Sequence, residues 1–218
     1  MGSKTCRSAE PLTGPPCEWP RTVYNRGMHN DPPPPSIELR LEPDQLALYW
    51  MPMAAPAAGN TEPYSVALGW QTGAQAFGLR MPTPLSLENA IATVEDAVMP
   101  AGPWLAKPPA GIAPPFTLHT RSPLLREVAE AAGVALSTPP ARLSRQAVEN
   151  LFNRLSDQIH RPGATDTALP QRAEWAAALL ILREGLHHWG VEWVELGRIR
   201  VLLLASTATT SCYQINSC

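Results

Sequence analysis

The apolar residues of this chain of 218 residues change their period once, and that change limits the possible folds more than any other feature. Ile37, Leu39 and Leu41 alternate with Glu38 and Arg40, the pattern of a half-buried strand. Glu42-Pro43-Asp44-Gln45 supplies turn chemistry, and Leu46, Leu48 and Trp50 then alternate with Ala47 and Tyr49. Residues 36–50 therefore predict a hairpin. Tyr64, Val66, Leu68 and Trp70 predict a third strand with small residues on its other face. After the Thr72-Gly73 turn, Phe77, Leu79 and Met81 suggest a short fourth strand.

From residue 84 onward the spacing is helical. Leu87, Ile91, Val94 and Val98 form one apolar stripe, with Pro84 suited to a first helical turn and Pro100 and Gly102 ending the segment. Phe116–Thr120 is a short strand candidate. Ser122-Pro123 opens a helix that stops at Gly133. Ser144 opens another, with Leu143 and Val148 placed as a hydrophobic staple and a stripe from Ala147 to Ile159. His160-Arg161 suits the negative end of its dipole, and Pro162-Gly163 ends it. The last helix runs from about Pro170 to Trp189. Its stretch Trp175–Leu182 is apolar on every side, which marks a buried central helix. After Gly190 the pattern weakens, with Ile199–Ala205 a further strand candidate.

Proline bounds the ordered part. Of the 25 prolines, Pro11, Pro15, Pro16, Pro20 and the run Pro32–Pro35 crowd a segment without apolar period. Residues 1–35 are expected to be disordered, because a proline run favours an extended left-handed helix and cannot start a sheet ladder. Residues 206–218 form a polar tail without period. Cys6, Cys17, Cys212 and Cys218 all lie near the two ends and lack the close pairing of a zinc knuckle, so they read as free thiols. The first thirty residues contain no apolar leader core, and the longest apolar run is far shorter than the roughly 20 residues that span a bilayer. A cytoplasmic protein without a membrane segment is the expectation. The net charge of −2 excludes a broad basic field of the kind that holds nucleic acid.

The order of strands and helices resembles the ribonuclease-H-like arrangement that is shared with actin-like kinases. That resemblance implies a carboxylate midway along the first strand that holds a divalent cation, and Glu38 stands there, with Glu88, Glu95 and Asp96 as further carboxylates. Glu38 alternates out of phase with the apolar face, and Glu88, Glu95 and Asp96 read as a solvated helix face. The Gly-rich phosphate loop of the actin-like kinases is missing, so the order of elements carries no family assignment.

The densest local chemistry is Arg183-Glu184-Gly185-Leu186-His187-His188-Trp189. On a helix, Glu184 neighbours both His187 and His188. Glu-x-x-His is half of a carboxylate di-iron pattern, but no second copy exists in this chain. The plainer reading is that the histidines complement the dipole's negative end and pack beside Trp189 and Trp193. His119 and His160 join them only if the fold brings them close. The sequence holds no G-x-S-x-G elbow, no G-x-G-x-x-G and no Walker loop. Arg142, Arg145 and Arg154, with Arg161 and Arg172, give the third helix a basic side that Glu149 and Asp157 interrupt. Trp104 sits in a proline loop, where an indole either plugs the core or anchors a partner.

The expected fold is therefore one α+β domain over residues 36–205: a small, mainly antiparallel sheet covered by four helices, 84–99, 122–132, 144–160 and 170–189, the last one buried. By elimination the expected function is a non-catalytic module that binds a protein, with Trp104 as the partner-binding residue and no cofactor. The alternative is a metal-assisted hydrolase using Glu184, His187 and His188 as catalytic or metal-binding residues. A DNA-binding regulator using the third helix is the further alternative.

Overall fold

A computed structural model describes residues 36–51, 62–108, 116–137, 140–161 and 166–197. The proline run, the four cysteines, both tails and the strand candidate Ile199–Ala205 lie outside the described residues. The hairpin forms as expected: β1 (Ser36–Leu41) pairs antiparallel with β2 (Leu46–Met51), Leu39 opposite Leu48. β3 (Tyr64–Val66) adds antiparallel to β2.

The third strand does not reach Trp70, and the fourth does not form. Trp70 instead opens α1 (Trp70–Ala76). The hairpin turn causes this. The N–H groups of Trp70, Gln71 and Thr72 donate to the carbonyls of Glu42 and Pro43 at 3.2, 2.8 and 3.3 Å, so backbone of the turn caps the helix in place of a side chain. Phe77, Gly78 and Leu79 then close α1. The N–H of Gly78 donates to Gln75 O, and that of Leu79 to Ala74 O, with both residues at positive φ, 73° and 58°. That is a Schellman closure, which alternation of apolar residues mimics in sequence.

The long helices stand close to where the stripes put them: α2 (Pro84–Val98), α4 (Pro123–Ala131), α5 (Arg145–His160) and α6 (Ala173–His188). A short α3 (Ala101–Leu105) occupies part of the expected proline loop. Thr83 and Ser86 form a reciprocal capping box on α2, and Ser144 Oγ accepts from Ala147 N–H on α5. α6 is the hub of the core. It packs on α1, α2, α4 and α5, and every residue from Trp175 to Leu182 is buried.

The sheet corrects the expectation of a mainly antiparallel one. It has six strands in the order β3-β2-β1-β4-β6-β5 and is mixed. β4 (Thr117–Thr120) runs parallel to β1, and β6 (Trp193–Leu196) parallel to β4, while β5 (Ala141–Ser144) closes the edge antiparallel to β6. Helices separate β4 from β3 and β6 from β5, and a helical crossover is what returns a strand parallel to an earlier one.

Register divides the residues between two faces. Ile37, Leu39, Leu41, Leu48, Leu118, Leu143, Val194 and Leu196 belong to the core that the helices share. The other face carries Arg40, Tyr49, His119, Arg121, Arg142, Trp193 and Glu195, and much of it is open to solvent.

Candidate functional site

The register places five polar side chains in one rung across five strands. Tyr49 stands opposite Glu38, Glu38 opposite His119, His119 opposite Glu195, and Glu195 opposite Arg142. Neighbouring strands are about 4.8 Å apart, so His119 sits between two carboxylates whose backbones are about 9–10 Å from each other. Strand alternation keeps all five on the polar face, because each occupies the out-of-phase position of its own apolar pattern.

Glu38 is out of phase with the apolar face as the alternation required, yet it is only 6 % exposed. Two arginines cover it. Arg40 Nη2 donates to Oε2 at 2.8 Å, and Arg121 Nη1 lies 3.5 Å from Oε1. The hydrogen bond to Glu38 is the main reason the Arg40 guanidinium is held above its ordinary pKa. Arg40 also lies over the Tyr49 ring, 4.4 Å from its centre. At the other end of the rung, His119 Nδ1 is 3.4 Å from Glu195 Oε2, and Arg142 donates to Glu195 Oε1 through Nη2 at 2.7 Å and Nε at 2.9 Å.

Three cavities open around this rung. A pocket of about 230 Å³ is lined by Ser36, Glu38, Met51, His119, Arg121 and Gly197. A second, about 430 Å³, lies at the amino ends of β4 and β6, with Phe116, Arg142, Trp189, Trp193 and Glu195 in its wall. The largest, about 800 Å³, lies past the carboxyl ends of β1 and β4, between the hairpin turn, Trp70 and the start of α4. Glu38 and Arg121 are common to the first and the last. Ligands of open α/β sheets gather outside the carboxyl ends of strands.

The residues present do not fit the divalent cation that a first-strand carboxylate would hold. Both oxygens of Glu38 face guanidinium groups, and among the described residues no three His, Cys, Asp or Glu side chains form a metal-holding group.

The structure brings together only part of the cluster at the end of α6. Glu184 is buried, with Arg183 against its Oε1. His188 Nε2 lies 3.6 Å from Glu184 Oε2 and 3.5 Å from Glu95 Oε1 on α2. His187 is exposed, its ring edge-on to His188. Arg183 lies over the Phe152 ring and also donates to Glu149 at 3.1 Å, so it ties α6 to α5. His119 and His160 do not join the group: His119 stands on the far face of the sheet, and His160 is exposed at the end of α5. Trp104 lies on α3, stacked on Trp50 at 5.4 Å, with its Nε1 donating to Glu62 O. The five arginines of the basic side each have a carboxylate beside them: Arg142 with Glu195, Arg145 with Glu192, Arg154 with Asp166, Arg161 with Asp157, and Arg172 with Glu127. No helix among the described residues is long and apolar enough to cross a membrane.

Sequence reasoning missed Glu195, Arg121 and the role of His119. Their signal is slight, since Glu195 sits in a strand of four residues and Arg121 follows one of the same length.

No family model and no curated protein matches the chain. Solved structures do. An enzyme of the PPX-GPPA type from Aquifex aeolicus aligns over 75 % of this chain with a TM-score of 0.52 and 10 % identity. An exopolyphosphatase from Cytophaga hutchinsonii aligns over 75 % with a TM-score of 0.53 and 13 % identity. An exopolyphosphatase-like protein aligns over 82 % with a TM-score of 0.54 and 17 % identity. The chain spans 53 to 59 % of the length of these three. At such identities the likeness is one of fold. It nevertheless overturns the expectation of a non-catalytic protein-binding module, because the solved chains that share the architecture are described as enzymes and exopolyphosphatases. The hydrolase alternative is the reading they favour.

Proposed function

We propose that the chain hydrolyses a phosphorylated substrate on the polar face of its sheet, with His119 as general base and Glu195 as the residue that positions it. The carrying observation is the Glu195–His119 contact at 3.4 Å, beside a pocket that His119 and Arg121 line together. A carboxylate at Nδ1 favours the tautomer with its proton there and leaves Nε2 to accept one. Arg121 is 64 % exposed on its side chain, and its long contact with Glu38 leaves donors for phosphoryl oxygens. Glu38, under its two arginines, keeps the Arg121 guanidinium at the pocket wall.

In the reaction the oxygen of a water molecule bonds to phosphorus while the bond from phosphorus to its bridging oxygen breaks. His119 Nε2 takes the water's proton. The bridging oxygen leaves with the electron pair and takes a proton from solvent. The exopolyphosphatases among the solved structures of this fold support phosphoryl transfer to water as the reaction class.

The test is release of inorganic phosphate from tripolyphosphate and from phenyl phosphate by the full chain. His119→Ala is expected to lower the rate by about a hundredfold or more, the usual contribution of a general base. Glu195→Gln should lower kcat by about tenfold or more at nearly unchanged KM, because it disturbs the imidazole and not the anion site. Arg121→Ala should act mainly on KM. No phosphate release from either substrate, or a His119→Ala variant as fast as the parent, overturns the reading.

A further inference from the structure

We infer that the cavity of about 800 Å³ past the carboxyl ends of β1 and β4 receives the leaving group, and that this group is an uncharged organic alcohol and not a further phosphate. This rests on the hydrolase reading above and names its substrate class: a phosphate monoester of a neutral alcohol.

In-line displacement sets the direction. The attacking and leaving oxygens lie on opposite sides of phosphorus, so the ester oxygen departs on the side away from His119. His119 turns Nδ1 to Glu195 on β6, at 3.4 Å. Nε2, on the other edge of the ring, therefore points away from β6 and to the β1 side of β4. That is the side where Arg121 Nη1 lies 3.5 Å from Glu38 Oε1. Glu38 and Arg121 line both the small pocket and the large cavity, whereas His119 lines the small pocket and not the large one. The two spaces thus meet at the guanidinium that holds the phosphoryl group, on the side that His119 leaves open. The ester oxygen leaves with the electron pair of its bond to phosphorus, takes a proton from solvent and stays in the large cavity as the alcohol, while His119 keeps the proton of the attacking water.

The chemistry of the large cavity disfavours a second phosphate. Its guanidinium groups are Arg40, Arg121 and Arg172. Arg40 donates to Glu38 at 2.8 Å, Arg172 pairs with Glu127, and Arg121 is taken by the phosphoryl group under attack. Glu42 and Glu174 line the same cavity and add two further negative charges. The next unit of a phosphate chain would therefore meet a wall in which carboxylates outnumber guanidinium groups, and like charges repel most where water is partly excluded. A neutral alcohol meets no such repulsion. Trp70 and Leu124, both half-buried, give the cavity an apolar wall beside these charges, and carbon placed against them is removed from water. The volume lies within the range of roughly 300–1,000 Å³ that small organic ligands occupy.

Binding and turnover are tested separately. Phenylphosphonate and methylenediphosphonate, which resist hydrolysis, are titrated calorimetrically into the parent chain, the double variant Glu42→Gln/Glu174→Gln, and Leu124→Trp. The parent should bind phenylphosphonate about tenfold more tightly than the diphosphonate. The double variant should tighten the diphosphonate by about tenfold and leave phenylphosphonate nearly unchanged. Leu124→Trp fills the cavity and should weaken phenylphosphonate by about tenfold. Glu42 is exposed and Glu174 half-buried, so the double variant does not threaten the fold. A parent that binds the diphosphonate as tightly as phenylphosphonate, a double variant that keeps the parent's preference, or a folded Leu124→Trp that keeps the parent's affinity for phenylphosphonate overturns the inference. If the binding results are as expected but neither phenyl phosphate nor tripolyphosphate releases phosphate, the selectivity of the cavity stands and the hydrolase reading falls. If tripolyphosphate is turned over with a kcat/KM above that of phenyl phosphate, the hydrolase reading stands and this inference falls.

Discussion

Gly69→Ala tests whether the hairpin turn holds the first helix. A Cβ at residue 69 would lie 2.2 Å from Pro43 O, 2.3 Å from its carbonyl carbon and 2.4 Å from Asp44 N. These are backbone atoms, which cannot swing aside. Reaching ordinary contact at 3.4 Å needs a shift of about 1.2 Å between the turn and the start of α1. A shift of that size breaks the 2.8 Å bond from Gln71 N–H to Pro43 O and the weaker bonds of Trp70 and Thr72. Each is worth about 0.5–1.5 kcal/mol, so losing two or three costs about 1–4.5 kcal/mol. The alanine returns about 0.4–1 kcal/mol by restricting the unfolded chain. The net loss centres on about 2 kcal/mol, which lowers the urea midpoint by about 1 M at unchanged slope. Gly102→Ala is the control. Gly102 lies within α3 with nothing within 4 Å of a Cβ, so alanine there should be neutral or stabilising by up to about 1 kcal/mol. A Gly69→Ala midpoint within error of the parent, or an equal loss in Gly102→Ala, refutes the reasoning.

Other positions follow from equally local geometry. Trp189 Nε1 donates to Val98 O at 2.9 Å in the core, so Trp189→Phe should cost about 1–3 kcal/mol by leaving that carbonyl unpaired, read from urea unfolding. Leu79 is exposed with φ 58°, so Leu79→Gly should raise the melting temperature by relieving a left-handed conformation that costs a side-chain-bearing residue about 1–2 kcal/mol; an unchanged or lower value counts against strain there. Burial holds the Tyr64 phenol above its ordinary pKa, and its hydroxyl donates to Ala97 O at 3.1 Å. A folded value raised above the unfolded one means that its stabilisation is complete below about pH 10 and is lost as pH rises through the folded pKa. The ultraviolet titration of the parent minus that of Tyr64→Phe should show a phenol ionising later than a free one.

The helices were legible because each carries its evidence within one segment. α2, α5 and α6 have apolar stripes bounded by caps, proline or glycine, and their ends moved by three residues or fewer. β5 and β6 were missed for the opposite reason. Four residues give two alternations, which is too little to separate a strand from a loop, and what makes them strands is their pairing with each other. Trp70 shows a different failure. Its alternation with Leu68 and Val66 is real, but its N–H is met by a carbonyl from the hairpin turn, a contact between residues 42 and 70 that no local pattern encodes.

The same distinction explains why the candidate site shifted from the end of α6 to the sheet. Glu184, His187 and His188 drew notice because they are contiguous, yet contiguity on a helix spreads side chains around its axis, and His187 duly faces solvent while Glu184 is buried. Glu38, His119, Glu195 and Arg142 come from four strands spread over more than a hundred residues of sequence, and register alone sets them side by side. Of these, Glu38 alone was readable as a polar residue out of phase with its apolar neighbours. Only the sheet order adds that the out-of-phase positions coincide in one row. Residues that alternate against the core in several short strands are thus better candidates for a shared site in this fold than a dense run on one helix.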